Sequence, residues 1–326
     1  MAADLLFRQA CRLILTLFII VTVNFSLPRL MPGDPVITML GQDAAAISGA
    51  EFSELRKKHG LDKPLPQQYS AYWRSLLQGD LGYSYHYRQP VTKIIRQHLA
   101  WTLTLLGPVV ILASLLALLL GMAAGWKAGS CLDGLLTCGS LIMYSLPPFL
   151  ISMMLLLLFS FKLQLFPLGG LSSGSGNSVL ANAADTVWHL ALPVTALTLS
   201  SASSMLLVMR NSAVKQRHED YITYAIVKGL SPWRILIVHL LRNACLPLFS
   251  LIALHIGFIV SGALVVEIVF SINGMGTLLY EAAAYRDYPL LQGCLLVLTL
   301  FVMAANTLAN AAYGIIDPRI SQAHSS

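Results

Sequence analysis

Six long apolar stretches of this 326-residue chain carry no charged side chain: residues 13–28, 99–126, 134–161, 186–209, 243–266 and 288–316. A helix that crosses a bilayer needs about 20 mostly apolar residues, and these runs fit that length better than any soluble element. The first is the shortest, but Arg12 and Arg29 stand at its two ends, where long basic side chains reach the headgroups. Only 11% of the chain is charged, against about 25% in an ordinary soluble domain. A soluble protein this apolar would lack the polar surface to stay dissolved. The expected fold is an all-α membrane protein with about six transmembrane helices, an inner-membrane multi-pass chain in contact with lipid.

The net charge of +6 does not point to nucleic acid, because the basic residues form no patch interleaved with aromatics. Arg210, Lys215, Arg217, Lys228, Arg234 and Arg242 are the densest short basic segment, between the fourth and fifth runs. The positive-inside rule places that segment in the cytoplasm. With six spans both termini then face the cytoplasm, in agreement with Arg8, Arg12 and Arg319. Loop 31–98 is basic too, yet on this topology it is external; loops longer than about 60 residues are largely exempt from the rule. The apolar stretch after Arg12 is longer than a signal-peptide core and leads to Pro28-Arg29 rather than a cleavage site, so it reads as an uncleaved helix.

Four parts follow: a first transmembrane helix over 1–30, an external loop domain over 31–98, a five-helix core over 99–316 with a cytoplasmic loop at 211–242, and a cytoplasmic tail over 317–326. Within the external loop, residues 53–59 predict a short helix stopped by Gly60. Residues 63–66, Lys-Pro-Leu-Pro, predict a rigid connector, and 68–77 an amphipathic turn or two ended by Gly79-Asp80. Loop 168–177 is rich in Gly and Ser and is expected to be flexible. The five cysteines show no metal-site spacing and read as small hydrophobes.

Residues 216–247 are the most informative. Glu219 and Asp220 suit the positive end of a helix dipole. Tyr221, Tyr224, Ala225 and Lys228 recur at helical spacing and predict one face with two aromatics and a small residue. Gly229 is placed to end that helix in a left-handed conformation. Ser231-Pro232 then opens another, Ser as cap and Pro as first residue. Such a short cytoplasmic helix either docks in a groove of another protein or rests on lipid headgroups.

Residues 220–247, DYITYAIVKGLSPWRILIVHLLRNACLP, resemble the coupling loop of ABC-importer permeases of the dipeptide, oligopeptide and nickel family. The resemblance implies that the short helix inserts into a cleft of an ATPase subunit, with Glu219, Asp220, Tyr221, Tyr224, Ala225, Lys228 and Gly229 in coupling roles. The usual Glu-Ala-Ala signature is here Thr223-Tyr224-Ala225, keeping only the last Ala and the later Gly229. Pro32-Gly33-Asp34-Pro35, Gly79-Asp80-Leu81-Gly82, Arg286-Asp287-Tyr288-Pro289 and Asp317-Pro318-Arg319 extend the likeness along the chain, with Asn273 and Asn310 as departures. The fold implied is that of a type I ABC-importer permease. Implied partners are a second homologous permease, ABC ATPase subunits and a periplasmic or lipoprotein solute-binding protein. No Gly-x-x-x-x-Gly-Lys-Ser/Thr loop occurs, so no cofactor is expected on this chain; ATP and Mg belong to the ATPase.

Ionisable residues inside spans are functional candidates by default. His255 lies mid-span and either bonds a neighbouring helix or lines the translocation path; Glu267, at a helix end, is the nearest acidic candidate. The His-Ile-Gly at 255–257 and Gln216-Arg217-His218 resemble nickel permeases, and imidazole is a good transient ligand for that metal. The expected solute is therefore nickel or a metal chelate (metallophore), with di- or oligopeptides as the alternative. Two other classes stand beside these. Residues 170–174 match Gly-x-Ser-x-Gly but on a loop, which argues against an enzyme. A secondary transporter or channel would carry more buried charge.

Overall fold

The computed structural model describes residues 2–30, 62–174 and 178–316, with isolated helical positions at Gly49, Ser53, Glu54 and Lys57. The helix expected at 53–59 thus lies largely outside the described residues, as do the motif at 32–35 and the tail at 317–326. Regular structure among the described residues is helical, apart from one bridge between Tyr83 and Pro90. Contacts divide the chain into two compact units, residues 1–100 with 277–300 and residues 101–276 with 301–326.

The first unit contains α1 (Ala2–Leu30), α2 (Leu65–Leu77) and the start of α3 (Val91–Trp126). Aromatic rings join α1 to α2: Phe25 meets Tyr69 edge-on at 5.1 Å, and Phe18 stacks on Trp73 at 6.1 Å. The sequence predicts a connector at 63–66, but α2 begins inside it. Pro66 falls in the first turn, where a missing N–H leaves no helical bond unmade. Gly79 follows the helix at φ +74.

From the C-terminal part, the unit takes most of α11 (Met275–Ala284) and the start of α12 (Tyr288–Ile316). Buried Asn24 of α1 donates to the Gln292 carbonyl at 2.7 Å, and the Gln292 amide returns a bond to the Asn24 carbonyl at 3.2 Å. Asp287 is buried ahead of α12. It accepts from the Leu290 N–H at 3.2 Å as a helix cap does, and from Ser84 Oγ at 2.5 Å and the His86 N–H at 3.0 Å. The Tyr87 phenol donates to Glu281, and burial together with that carboxylate pushes its pKa up, which keeps it a donor.

In the second unit, α3 packs on α6 (Val179–Arg217) at very close range. A Cβ on Gly121 would lie 2.9 Å from the Leu206 carbonyl, and one on Gly125 2.8 Å from that of Arg210. Small residues four apart let helix backbones approach in this way. All six charge-free runs lie on helices, but the third is not one straight span. It divides into α4 (Cys131–Ser145) and α5 (Pro148–Leu155), the latter continued by a π-helical turn (Leu156–Lys162), with a 100° bend between the two helices. Pro147 and Pro148 cause the break, since neither offers an N–H and Leu146 before them is held extended. Among the described residues α3, α6 and Tyr288–Thr307 of α12 are each long and apolar enough to cross a membrane, and the bent pair passes only when taken together.

Loop 168–177, expected to be flexible, is tied down over its described part. Asp185 of α6 accepts from Ser172 Oγ at 2.8 Å, from the Ser173 N–H at 2.6 Å and from Ser173 Oγ at 2.9 Å. A single carboxylate holding three donors fixes a chain that composition alone would call loose.

Candidate functional site

Two residues after α6, the chain enters a short helix, α7 (Asp220–Val227). Glu219 is its N-cap residue with extended backbone, and it contributes its carbonyl rather than its side chain: the Ile222 N–H donates to it at 3.0 Å. Asp220 lies in the first turn, where a carboxylate suits the helix dipole. At the other end, Lys228 is the C-cap and Gly229 has φ +71. The Gly229 N–H bonds the Ile226 carbonyl at 2.9 Å, and the Leu230 N–H bonds that of Ala225 at 3.3 Å. That bond pair is a Schellman motif, which glycine accommodates without a Cβ penalty.

The faces of α7 differ from the sequence expectation. Ile222 and Ala225 are buried and join one apolar cluster with Ala117 of α3 and Met205, Met209 and Ala213 of α6. Tyr221 is half-buried against the same cluster, and its hydroxyl bonds Gln216 Oε1 at 2.6 Å. Tyr224 points away, 68% exposed, with Ile226 at 59% and Val227 at 80%. The predicted face of Tyr221, Tyr224, Ala225 and Lys228 is therefore split. Ala225 holds α7 onto its own chain, while Tyr224 and Lys228 are presented outward. Sequence periodicity could not separate the two, because both sides of this helix carry apolar residues.

After Gly229 the chain turns back. Ser231 precedes α8 (Pro232–Arg234), though its hydroxyl makes no capping bond. A π-helical turn (Ile235–Leu240) and α9 (Leu241–Ala244) lead into α10 (Leu246–Val269). Leu240, Ala244 and Leu248 extend the same apolar cluster, so the return path is packed against the helix it follows. Trp233, 75% exposed, adds an aromatic to the outward apolar surface.

Two arginines of the basic segment tie helices together. Arg210 makes a bidentate pair with Asp133 of α4, Nε to Oδ1 at 2.9 Å and Nη2 to Oδ2 at 2.7 Å. Arg217 donates to the Trp126 carbonyl at 2.8 Å and lies over the Trp126 ring. The sequence reading missed both ties. The available signal was that Asp133 is the lone charge between Lys127 and Lys162.

Glu267, expected along the path, is fully buried near the end of α10. Thr102 of α3 donates to its Oε1 at 2.8 Å, and the Gly276 N–H donates to its Oε2 at 2.8 Å. The Thr102 hydroxyl also accepts from the Met275 N–H at 2.7 Å. A Cβ on Gly274 would overlap the Glu267 carboxylate, so that glycine is required by space. His255 lies on α10, and its side chain falls outside the described residues. Among the described residues no three of His, Cys, Asp and Glu converge as metal ligands. Ser172 of the Gly-x-Ser-x-Gly stretch donates to Asp185, and His189 bonds the same residue, so the acid stands where a base would have to face the hydroxyl.

Residues 117–322 match the family described as binding-protein-dependent transport system inner membrane component, and residues 2–106 match the N-terminal region of such membrane components. The chain is 34% identical over 327 residues to the dipeptide transport system permease protein of Escherichia coli K12, covering 94% of this chain and 96% of that one. It is 34% identical over 332 residues to the di/tripeptide transport system permease protein of Pseudomonas aeruginosa, covering 96% and 97%. The dipeptide transport system permease protein of Alkalihalophilus pseudofirmus is 32% identical over 329 residues, covering 96% and 98%.

Proposed function

Because the chain belongs to the family of binding-protein-dependent transport system inner membrane components, we propose that it forms half of the path by which an ATP-driven importer admits short peptides. It is a transporter subunit and not an enzyme. Hydrolysis belongs to separate ATPase subunits, which hold ATP and Mg, and delivery belongs to a solute-binding protein outside. A second, homologous permease completes the path.

The observation that carries this reading is α7. Its Ile222 and Ala225 are locked into the permease while Tyr224, Ile226 and Val227 are exposed beyond the last charge-free run of α6. On the cytoplasmic side an exposed apolar face on a helix anchored from below is suited to a protein groove. Closure of the ATPase pair then displaces α7 as a rigid body and switches the spans between outward and inward access. In this assignment Glu219 and Asp220 set the start of the helix and Gly229 its end. Tyr221 and Ala225 fix it to the permease, and Tyr224 with Lys228 meets the ATPase. Both termini face the cytoplasm.

Peptide replaces nickel as the proposed solute. The nickel expectation rested on the surroundings of His255 and on Gln216-Arg217-His218, whereas the relatives above are named for dipeptides and tripeptides. Glu267, held by Thr102 and Gly276, serves in this reading as the anchor of the turn after α10. The test is uptake in cells that express the complete transporter, with a labelled dipeptide set against radioactive nickel. Dipeptide accumulation that requires this chain supports the reading. Nickel accumulation without dipeptide returns His255 to the path and overturns the peptide assignment.

A further inference from the structure

The tie between α4 and α6 is stronger than packing requires. Both oxygens of Asp133, which is 6% exposed, are occupied by the Arg210 fork. The Gly129 N–H donates to Oδ2 at 3.0 Å, and the Thr137 hydroxyl to Oδ1 at 3.3 Å. Ser130, the α4 cap, accepts from the Asp133 N–H at 3.3 Å. The third nitrogen of Arg210 is engaged by Asn211 Oδ1 at 3.1 Å. A planar guanidinium held at two points fixes direction as well as distance, which an ammonium does not.

A second tie lies close by. Arg217, in the last turn of α6, holds the last residue of α3 through the Trp126 carbonyl and ring. Gly121 and Gly125 bring α3 against α6 over the same stretch. Three helices are thus fastened together where α6 runs out toward α7. On the far side of α4, the 100° bend after Ser145 breaks the continuity of the third run.

We infer that the Asp133–Arg210 pair is a positioning latch that makes α4 move as one body with α6 and α7, so that a displacement of α7 reaches the bend at Pro147-Pro148. The inference rests on the reading of α7 as the helix that receives the ATPase. Neither residue touches solute or nucleotide. Their effect is on how much of each ATPase stroke arrives in the spans.

The experiment uses the complete transporter with two readouts. The first is peptide taken up per ATP hydrolysed. Arg210→Lys keeps a positive charge and loses the fork; it lowers this ratio by about fivefold at unchanged membrane level, within the range by which coupling-network changes act. The charge exchange Asp133→Arg with Arg210→Asp restores part of it. A merely structural role would lower the amount of transporter and leave the ratio alone. The second readout is the distance between spin labels introduced by Leu135→Cys on α4 and Lys215→Cys on α6, both exposed positions, with the native cysteines replaced by serine. The parent gives one narrow distribution with and without ATP, and Arg210→Lys broadens it. An unchanged ratio, or a distribution as narrow in Arg210→Lys as in the parent, overturns the latch. If the parent takes up no peptide the solute assignment falls, and the spin-label comparison still decides the latch.

Discussion

Gly229 has open space where a Cβ would be, so a side chain there meets no neighbour and strains only the backbone. For an L-residue that strain is roughly 1–2 kcal/mol, less for Asn, which tolerates left-handed backbone. Gly229→Val is expected to cut uptake severely and Gly229→Asn mildly, at equal membrane levels; equal uptake by both would remove the cap from the mechanism. The turn after α10 offers the opposite case, a site set by space and hydrogen bonds. Thr102→Val deletes the hydroxyl shared by Glu267 and Met275, whose N–H is buried. The loss is about 1–3 kcal/mol and is read as a lowered melting temperature in detergent. Single residues were unevenly legible in the sequence. Gly229 announced itself because a glycine after a short periodic run has one common use. Glu267 stood out as an acid beside a span, but its partner Thr102 is 165 positions away and no local pattern links them. The Asp133–Arg210 pair was hidden for the same reason, at 77 positions.

The helix α7 makes its two sides separable by experiment. Ile222 is fully buried, and Ile222→Ala is expected to cost about 2 kcal/mol or more through the cavity it leaves. It should reduce the amount of folded transporter, measured as the monodisperse fraction after extraction. Tyr224→Ala removes an exposed ring, so it should leave that fraction unchanged and weaken ATPase binding, measured by co-purification of the ATPase with the permease. Equal co-purification of the ATPase with parent and variant would put the docking face elsewhere. Elements were legible where length or punctuation decided them, as with the long apolar runs and with Gly79 after α2. Two were not. The break between α4 and α5 lay in plain view as Pro147-Pro148, but the absence of charge on both sides concealed that one run holds two helices. The loop before α6 looked loose because the carboxylate that fixes it, Asp185, belongs to the next element.

For the whole chain, the proposed orientation rests on the arginine-rich segment between the fourth and fifth runs, two of whose members also tie helices together. A reporter active only in the cytoplasm, fused after Ser326, is expected to be active; silence would invert the topology. The family and the all-helical membrane fold were readable from charge-free runs and the segment at 216–247, whereas the solute was not. The motifs near His255 and Gln216 pointed to nickel, yet the relatives are named for peptides, because short local likenesses carry little information about a path built from several helices. In the proposed mechanism, ATP hydrolysis by a partner drives this permease through α7. That mechanism is tested most directly by peptide uptake into proteoliposomes that hold the complete transporter and its binding protein, with ATP and membrane potential varied separately. Uptake that requires ATP and survives an uncoupler is the predicted result. Uptake driven by the potential without ATP would contradict the account and make the chain a secondary transporter.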